Sequence, residues 1–173
     1  MRKITALVDH ELTWTQPSGF KSQYELRFGD ELVATLRFQK AFGSLAVAES
    51  EDGHWTFDRI GFWKTRTIIK KGDSDTEIAA YQTNVWKGGG NLIFPDGRKY
   101  VMVHNVWKSR FEFRTEAGET LIEINNSGAF RLSATVRMYR KAVQIPEFPL
   151  MVLFGSYLVV MARRDAAAHA ATG

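Results

Sequence analysis

One apolar stretch governs the architecture of this chain: Pro149-Leu150-Met151-Val152-Leu153-Phe154-Gly155-Ser156-Tyr157-Leu158-Val159-Val160-Met161-Ala162. It carries no charge, and no 3.6-residue alternation divides a wet face from a dry one. A helix that is apolar on all sides must be buried, either in a protein core or in a bilayer. Its fourteen residues make a helix of roughly 21 Å, whereas a bilayer core is ~30 Å thick. The stretch therefore predicts a helix buried inside the protein and not a membrane span.

The residues that flank this stretch mark the ends of the helix. Pro149 suits the first helical position, where its missing N–H is no loss, and Glu147 lies at the positive end of the helix dipole. Arg163 and Arg164 follow at the negative end, which favours cations. We predict a central helix over about 149–163, one domain over 1–165, and a short Ala-rich tail over 166–173.

Composition indicates a single globular domain. The chain has 173 residues, of which 45% are hydrophobic and 13% aromatic, enough for a sizeable core. It has no cysteine, which excludes disulfides and thiol catalysis and fits a reducing cytosol. The apolar run after Arg2 and Lys3 ends at Asp9, too early for a secretory signal. The predicted location is cytoplasmic.

A hairpin gives the clearest strand signal. Residues alternate between two sets from Gln23 to Phe28, with Tyr24, Leu26 and Phe28 in the apolar set. They alternate again from Glu31 to Gln39, on the other side of the two-residue turn Gly29-Asp30. Alternation on both arms of such a turn predicts an antiparallel pair with one buried face.

Similar strand pairs continue along the chain. Turn residues at even spacing divide four more predicted strand pairs. The pairs are Leu45 to Glu49 with Trp55 to Arg59, Arg66 to Lys70 with Glu77 to Thr83, Asn91 to Phe94 with Lys99 to Trp107, and Phe111 to Arg114 with Thr120 to Asn125. Ile4 to Val8 and Leu12 to Thr15 are weaker strand predictions, and Leu132 to Met138 is the last. We predict a mainly β protein, an antiparallel barrel of about twelve strands in a meander of hairpins around the helix.

A short repeat suggests a candidate surface. Asn84-Val85-Trp86-Lys87 recurs 21 residues later as Asn105-Val106-Trp107-Lys108. A similar aromatic–basic pair, Trp63-Lys64, lies 23 residues before the first copy, and another, Phe130-Arg131, lies 23 residues after the second. Each step covers one up-and-down pair of strands, so these pairs should return to one end of the barrel. The candidate membrane or ligand surface comprises Trp63, Lys64, Trp86, Lys87, Trp107, Lys108, Phe130 and Arg131.

Catalytic and metal-binding patterns are missing from the sequence. His10, His54, His104 and His169 have no metal-ligand spacing, and there is no GxSxG, HExxH or cysteine nucleophile. The glycine-rich segment 87–90 lacks the phosphate-loop pattern and is predicted to be a hairpin loop. We predict no catalytic, cofactor or metal site. Whether the protein is an enzyme stays open, and a non-enzymatic role is preferred.

The predicted architecture resembles the tubby C-terminal-like fold, a group that includes the LURP-one-related proteins and the phospholipid scramblases. The hairpin series from Tyr24 to Asn125 and the run from Phe148 to Ala162 carry the resemblance, which covers nearly the whole chain. It implies a fold, and no short functional motif transfers with it. Scramblases hold an acidic calcium-binding segment before the terminal helix, whereas Lys141 to Glu147 has one acid, too few oxygen ligands for calcium. Tubby proteins bind phosphoinositides through basic side chains outside the barrel, which do not align one by one with this chain.

Three functions stay open. The preferred one is a non-enzymatic soluble module that binds a peripheral membrane surface or a protein through its outer barrel surface. The first alternative is scramblase-like lipid handling, against which the missing acidic segment counts. The second is an enzyme or small-ligand carrier with a hidden site, against which a helix-filled barrel counts. The expected partner is an anionic phospholipid surface or a protein, and a net charge of only +4 does not favour nucleic acid.

Overall fold

The structure is a computed structural model that describes residues 1–17, 22–61, 65–84 and 88–173. This part of the chain contains twelve β-strands, one α-helix and two short 3-10 helices, at Ile4–Leu7 and Arg140–Gln144. The strands and the helix are β1 Leu12–Thr15, β2 Gln23–Phe28, β3 Glu31–Phe38, β4 Ala46–Ser50, β5 Gly53–Ile60, β6 Arg66–Lys71, β7 Glu77–Asn84, β8 Gly89–Ile93, β9 Lys99–Asn105, β10 Arg110–Thr115, β11 Thr120–Asn126, β12 Ser133–Met138 and α1 Phe148–Thr172.

The twelve strands form one closed antiparallel barrel. Each strand pairs with the one before and the one after it, and β1 pairs with β12, with Leu12 opposite Val136, to close the ring. Inward-facing side chains alternate with solvent-facing ones along most strands, as in β5, where Trp55 and Phe57 are buried and their neighbours are not. The predicted fold class is confirmed.

Helix α1 fills the middle of the barrel. Every residue from Phe148 to Tyr157 is buried. The Phe154 ring lies 5.2 Å from Phe57 on β5, 5.3 Å from Tyr81 on β7 and 6.3 Å from Phe113 on β10, measured between ring centroids. Because strands on several sides of the barrel contact the helix, the helix has no polar face. Within the described ranges, no helix is both long and apolar enough to span a membrane.

The helix is longer than the sequence predicts. It begins at Phe148, next to the predicted start, but it continues to Thr172 and has 25 residues. The predicted Ala-rich tail is therefore mostly the exposed last part of α1. Alanine is the strongest helix former, and the Thr172 hydroxyl donates to the Ala168 carbonyl oxygen at 3.2 Å, which supports the last turn.

The predicted strand from Ile4 to Val8 is wrong, because residues Ile4–Leu7 form a 3-10 helix. Ile4, Leu7 and Val8 are the buried positions, and their spacing of three and four residues matches a helical turn rather than a strand. The Ile4 N–H donates to Asp52 Oδ2 at 2.7 Å and ties this turn to the β4–β5 connection.

Two predictions about strand β9 and its neighbour β8 also need correction. Strand β9 ends at Asn105, before Trp107, because the Asn105 side-chain oxygen accepts a hydrogen bond from the Lys108 N–H at 3.1 Å and starts a turn. Gly89 and Gly90 belong to β8 and not to a loop. A Cβ on Gly90 would lie 2.3 Å from the Gln82 carbonyl oxygen, so these glycines allow close strand contact.

The meander gives the barrel two ends. Helix α1 enters at the end that holds the β2–β3, β4–β5, β6–β7, β8–β9 and β10–β11 connections, which we call the entry end. It leaves at the opposite end, the exit end, where the other six connections lie. Two contacts fix the helix at the exit end: Arg164 Nη1 donates to the Gly43 carbonyl oxygen at 2.8 Å, and Arg163 Nη1 donates to that of Gly128.

Candidate functional site

Two of the four predicted aromatic–basic pairs lie at the exit end with their aromatic rings in solvent. Trp107 and Lys108 are in the β9–β10 turn, and Phe130 and Arg131 are in the β11–β12 connection. Trp107 is 98% exposed and Phe130 is 99% exposed. The other predicted residues, Trp63, Lys64, Trp86 and Lys87, lie outside the described residues, so their placement stays a prediction.

The structure adds an aromatic residue that the repeat did not identify. Phe42, in the β3–β4 connection, is 103% exposed and lies at the same end, with the exposed Lys40 two residues before it. This connection is held in place, since Arg164 of α1 binds the Gly43 carbonyl oxygen. The repeat missed Phe42 because its basic residue precedes the aromatic one and is not adjacent to it.

Strand bounds and sequence together show a common pattern at the exit end. Each of the six segments that join strands there contains one basic residue, at least one aromatic residue and no acidic residue. In three of these segments the aromatic and basic residues lie outside the described part of the chain, so only their sequence is compared. The pairs are Phe20 with Lys21, Lys40 with Phe42, Trp63 with Lys64, Trp86 with Lys87, Trp107 with Lys108, and Phe130 with Arg131. We call the six segments the basic rim.

The entry end has the opposite charge. Its five connections contain one basic residue, Arg98, which pairs with Asp96 and Glu147 at 2.7 and 2.6 Å. The acidic residues of those connections are Asp30, Glu51, Asp52, Asp73, Asp75, Asp96, Glu116 and Glu119. The strand connections are therefore basic at the exit end and acidic at the entry end. Arg140 and Lys141, which follow β12 at the entry end, pair with the acids Asp9 and Glu119.

The basic groups of the rim are available for a partner. Within the described ranges, Lys40, Lys108 and Arg131 form no ion pair, whereas most other surface cations do. Behind the rim, Arg59 donates two hydrogen bonds to the Asp165 carboxylate, at 2.7 and 2.9 Å. These hydrogen bonds raise the pKa of Arg59 above its ordinary value, and the pair adds no net charge.

A cavity of about 210 Å³ opens at the exit end between α1 and the barrel wall. Met102, Phe111 and Leu158 provide apolar surface, and Thr67 and Tyr81 contribute polar groups. The expectation that the helix fills the whole interior is therefore wrong at this end. The helix packs tightly up to Tyr157, but the small side chain of Ala162 leaves space beside the next turn.

The four histidines do not converge. His10 packs on Phe28, His104 stacks on Phe111 with 3.9 Å between ring centroids, and His169 contacts the Asp165 carbonyl oxygen on the exposed part of α1. Among the described residues, no group of three or more histidine or acidic side chains is arranged to hold a metal ion.

A comparison of the chain with protein-family models, curated proteins and solved structures found no match. Function is therefore inferred from the exit end itself, from its exposed aromatic rings, its basic side chains and its cavity.

Proposed function

We propose that the protein is a non-enzymatic module that attaches to an anionic phospholipid surface through the basic rim. The observation that supports this most is the composition of the rim, in which every segment pairs an aromatic with a basic residue and none has an acid. The connections at the other end instead contain eight acidic residues and one basic residue.

The exposed aromatic rings favour a lipid surface over bulk water. Phe42, Trp107 and Phe130 gain nothing from the protein core, because almost all of their surface faces solvent. Tryptophan is enriched at the headgroup level of membranes, where its ring contacts apolar groups while its N–H stays solvated. Phenylalanine at a loop tip can bury its ring in the same layer, which is worth ~1.5–3 kcal/mol for a fully transferred side chain.

The basic groups supply the electrostatic part of the attachment. Each Lys or Arg near an anionic leaflet contributes about 1 kcal/mol, so the rim gives reversible binding that weakens with salt. The acidic entry end turns away from the same surface, so the charge polarity orients the molecule before contact.

The proposed location is the cytoplasmic side of a membrane, where anionic lipids are concentrated and a cysteine-free chain loses nothing in a reducing compartment. We also propose that the chain is a distant member of the tubby C-terminal-like group. The closed twelve-strand barrel with its C-terminal helix supports this membership.

Vesicle flotation tests the attachment. The variant Lys40→Glu, Lys108→Glu, Arg131→Glu reverses three exposed charges of the rim. We expect it to bind mixed phosphatidylserine and phosphatidylcholine vesicles at low salt at least ~100-fold more weakly than wild type, because about 3 kcal/mol of attraction is lost. Neither protein should bind pure phosphatidylcholine well.

A matched control separates the rim from net charge. Arg2→Glu, Arg140→Glu, Lys141→Glu makes the same charge change at the entry end, where the three side chains are exposed and pair with surface acids. This variant should bind acidic vesicles nearly as well as wild type. Equal binding by wild type and the rim variant would refute attachment through the rim. No binding by wild type would refute membrane attachment and favour a protein partner.

A further inference from the structure

The cavity at the exit end contains polar groups that lack protein partners. Thr67 and Tyr81 face each other across β6 and β7 and are 2% and 3% exposed. Their hydroxyls and the His104 ring nitrogens make no hydrogen bond within the described residues, although the nearby Thr65 and Thr83 hydroxyls bond each other at 2.9 Å. Trp14 Nε1 is the one polar side-chain atom of the described residues that is fully buried without a partner, so these three groups reach the space of the cavity. There they are free to bond a molecule that enters it.

The chemistry of the lining favours an uncharged molecule. Burial raises the pKa of the Tyr81 hydroxyl and lowers the pKa of the His104 imidazole, so both groups are neutral near pH 7. Arg59 and Asp165, at the edge of the cavity, neutralise each other. A charged ligand would therefore lose its hydration without gaining an opposite charge.

The size and the apolar wall limit the shape of the ligand. An apolar cavity of about 150 Å³ holds one benzene ring, so about 210 Å³ leaves room for a ring with one or two small substituents. Met102, Phe111, Leu158 and Met161 provide the apolar surface, and the polar groups lie on the strands β6, β7 and β9. A ligand with an apolar ring and one polar group matches a wall that has separate apolar and polar parts.

We propose that the cavity binds a small uncharged molecule with one apolar ring and a single hydroxyl or carbonyl group. The polar group bonds to the Thr67 and Tyr81 hydroxyls or to the His104 ring, and the ring packs against the methionines and Phe111. The site is independent of the basic rim, since binding needs no lipid and no charge.

Three probes that share a methylbenzene core and differ in the polar group test this proposal without lipid: 4-methylphenol, toluene and 4-methylbenzoate. Titration is followed by NMR of the methyl groups of Met102, Met161 and Thr67. We expect saturable shifts with 4-methylphenol, with a Kd on the order of 1 mM or below. Toluene should bind about 3- to 10-fold more weakly for each hydrogen bond lost, and 4-methylbenzoate should not bind.

Two conservative variants locate the polar group of the ligand. Tyr81→Phe and Thr67→Val remove one hydroxyl each and nearly preserve side-chain shape. Together they should reduce the affinity for 4-methylphenol about tenfold and leave that for toluene unchanged. Tyr24→Phe, which removes a buried tyrosine hydroxyl away from the cavity, is the control and should bind like wild type.

Three results would overturn the proposal. The first is the absence of saturable shifts with 4-methylphenol, which would mean that the cavity holds only water. The second is equal affinity for 4-methylphenol and toluene, and the third is unchanged 4-methylphenol binding by the Tyr81→Phe, Thr67→Val double variant. None of these results bears on vesicle binding, so the two proposals fail separately.

Discussion

Gly155 lies close against the barrel wall in the buried part of α1. A Cβ at this residue would lie 2.7 Å from Ile124 Cδ1 and 3.4 Å from the Phe113 ring. Ile124 is 1% exposed, so its terminal methyl has little room to move. A glycine in mid-helix costs about 1 kcal/mol relative to alanine, and close packing against the barrel wall compensates for this cost.

We expect Gly155→Ala to destabilise the protein by about 1 kcal/mol, because an overpacking cost of ~1–3 kcal/mol exceeds the gain in helix propensity. Ile124→Val removes the clashing methyl and alone costs ~0.5–1.5 kcal/mol. The double variant should be at least as stable as Ile124→Val alone. Urea unfolding of the four proteins measures this cycle, and equal effects of Gly155→Ala in both backgrounds would contradict it.

Arg98 and Glu147 join the β8–β9 connection to the start of α1. Two hydrogen bonds of 2.6 and 2.7 Å link the guanidinium to the carboxylate, and they lower the pKa of Glu147 below its ordinary value. A carboxyl whose pKa is lower in the folded state stabilises the fold above its unfolded pKa, about 4.3. That stabilisation is lost as the pH falls through the folded pKa.

We expect Arg98→Gln to lower the free energy of unfolding by about 1 kcal/mol at pH 7, the upper range for a partly solvated pair. The difference from wild type should shrink below about pH 4.3 and vanish once Glu147 is protonated in both states. Arg137→Gln breaks a more exposed contact, 3.5 Å from Glu11, and should change stability little. Urea titrations from pH 7 to pH 3 measure both, and a difference that grows in acid would contradict the assignment.

At the scale of one element, α1 has two parts with opposite environments. Leu153 is fully buried in the middle of the barrel, whereas Ala168 lies on the exposed continuation of the same helix. We expect Leu153→Asp to unfold the domain, because an unpaired buried charge costs several kcal/mol. Ala168→Asp should leave the melting temperature within a few degrees of wild type. Circular dichroism melts compare the two, and a folded Leu153→Asp protein would contradict the assignment of α1 to the core.

Elements with a strong periodic signal could be predicted from sequence, and those set by tertiary contacts could not. The alternation from Gln23 to Phe28 and from Glu31 to Gln39 around Gly29-Asp30 predicts both strands to within one residue of their observed bounds. The end of β9 depended on one side-chain hydrogen bond from Asn105, which alternation does not encode. The strand pairing of Gly89 and Gly90 arose from close backbone contact, and composition alone suggested a loop.

The candidate site was only partly visible in the sequence for a similar reason. Repeat spacing identified Trp107 with Lys108 and Phe130 with Arg131, which share one end of the barrel. It missed Phe42, because the property shared by the rim is its position at alternate connections and not a repeated motif. The Thr67, Tyr81 and His104 groups come from β6, β7 and β9, which lie close together in the barrel wall. Their convergence on one cavity depends on the space beside α1, and no spacing in the sequence predicts it.

At the scale of the whole molecule, opposite charges and the exposed aromatic rings divide the barrel into two unlike ends. Consecutive rim segments are separated by two antiparallel strands, one that leads away from the exit end and one that returns to it. The charge difference between the two ends therefore depends on the uninterrupted meander from β1 to β12. A single inserted or deleted strand would mix acidic and basic connections at both ends. The number of strands therefore determines the basic rim as well as the fold.

The position of α1 after all twelve strands in the chain has a consequence for synthesis on the ribosome. The wall of the barrel is translated before the core that it surrounds, so the inward faces of Phe57 and Phe113 emerge with no partner. During that interval the unpaired strand edges are templates for pairing with other chains. We therefore expect the nascent chain to need protection from such pairing until Phe148 and the residues after it have been made, and a pause in translation before that point to prolong the exposure.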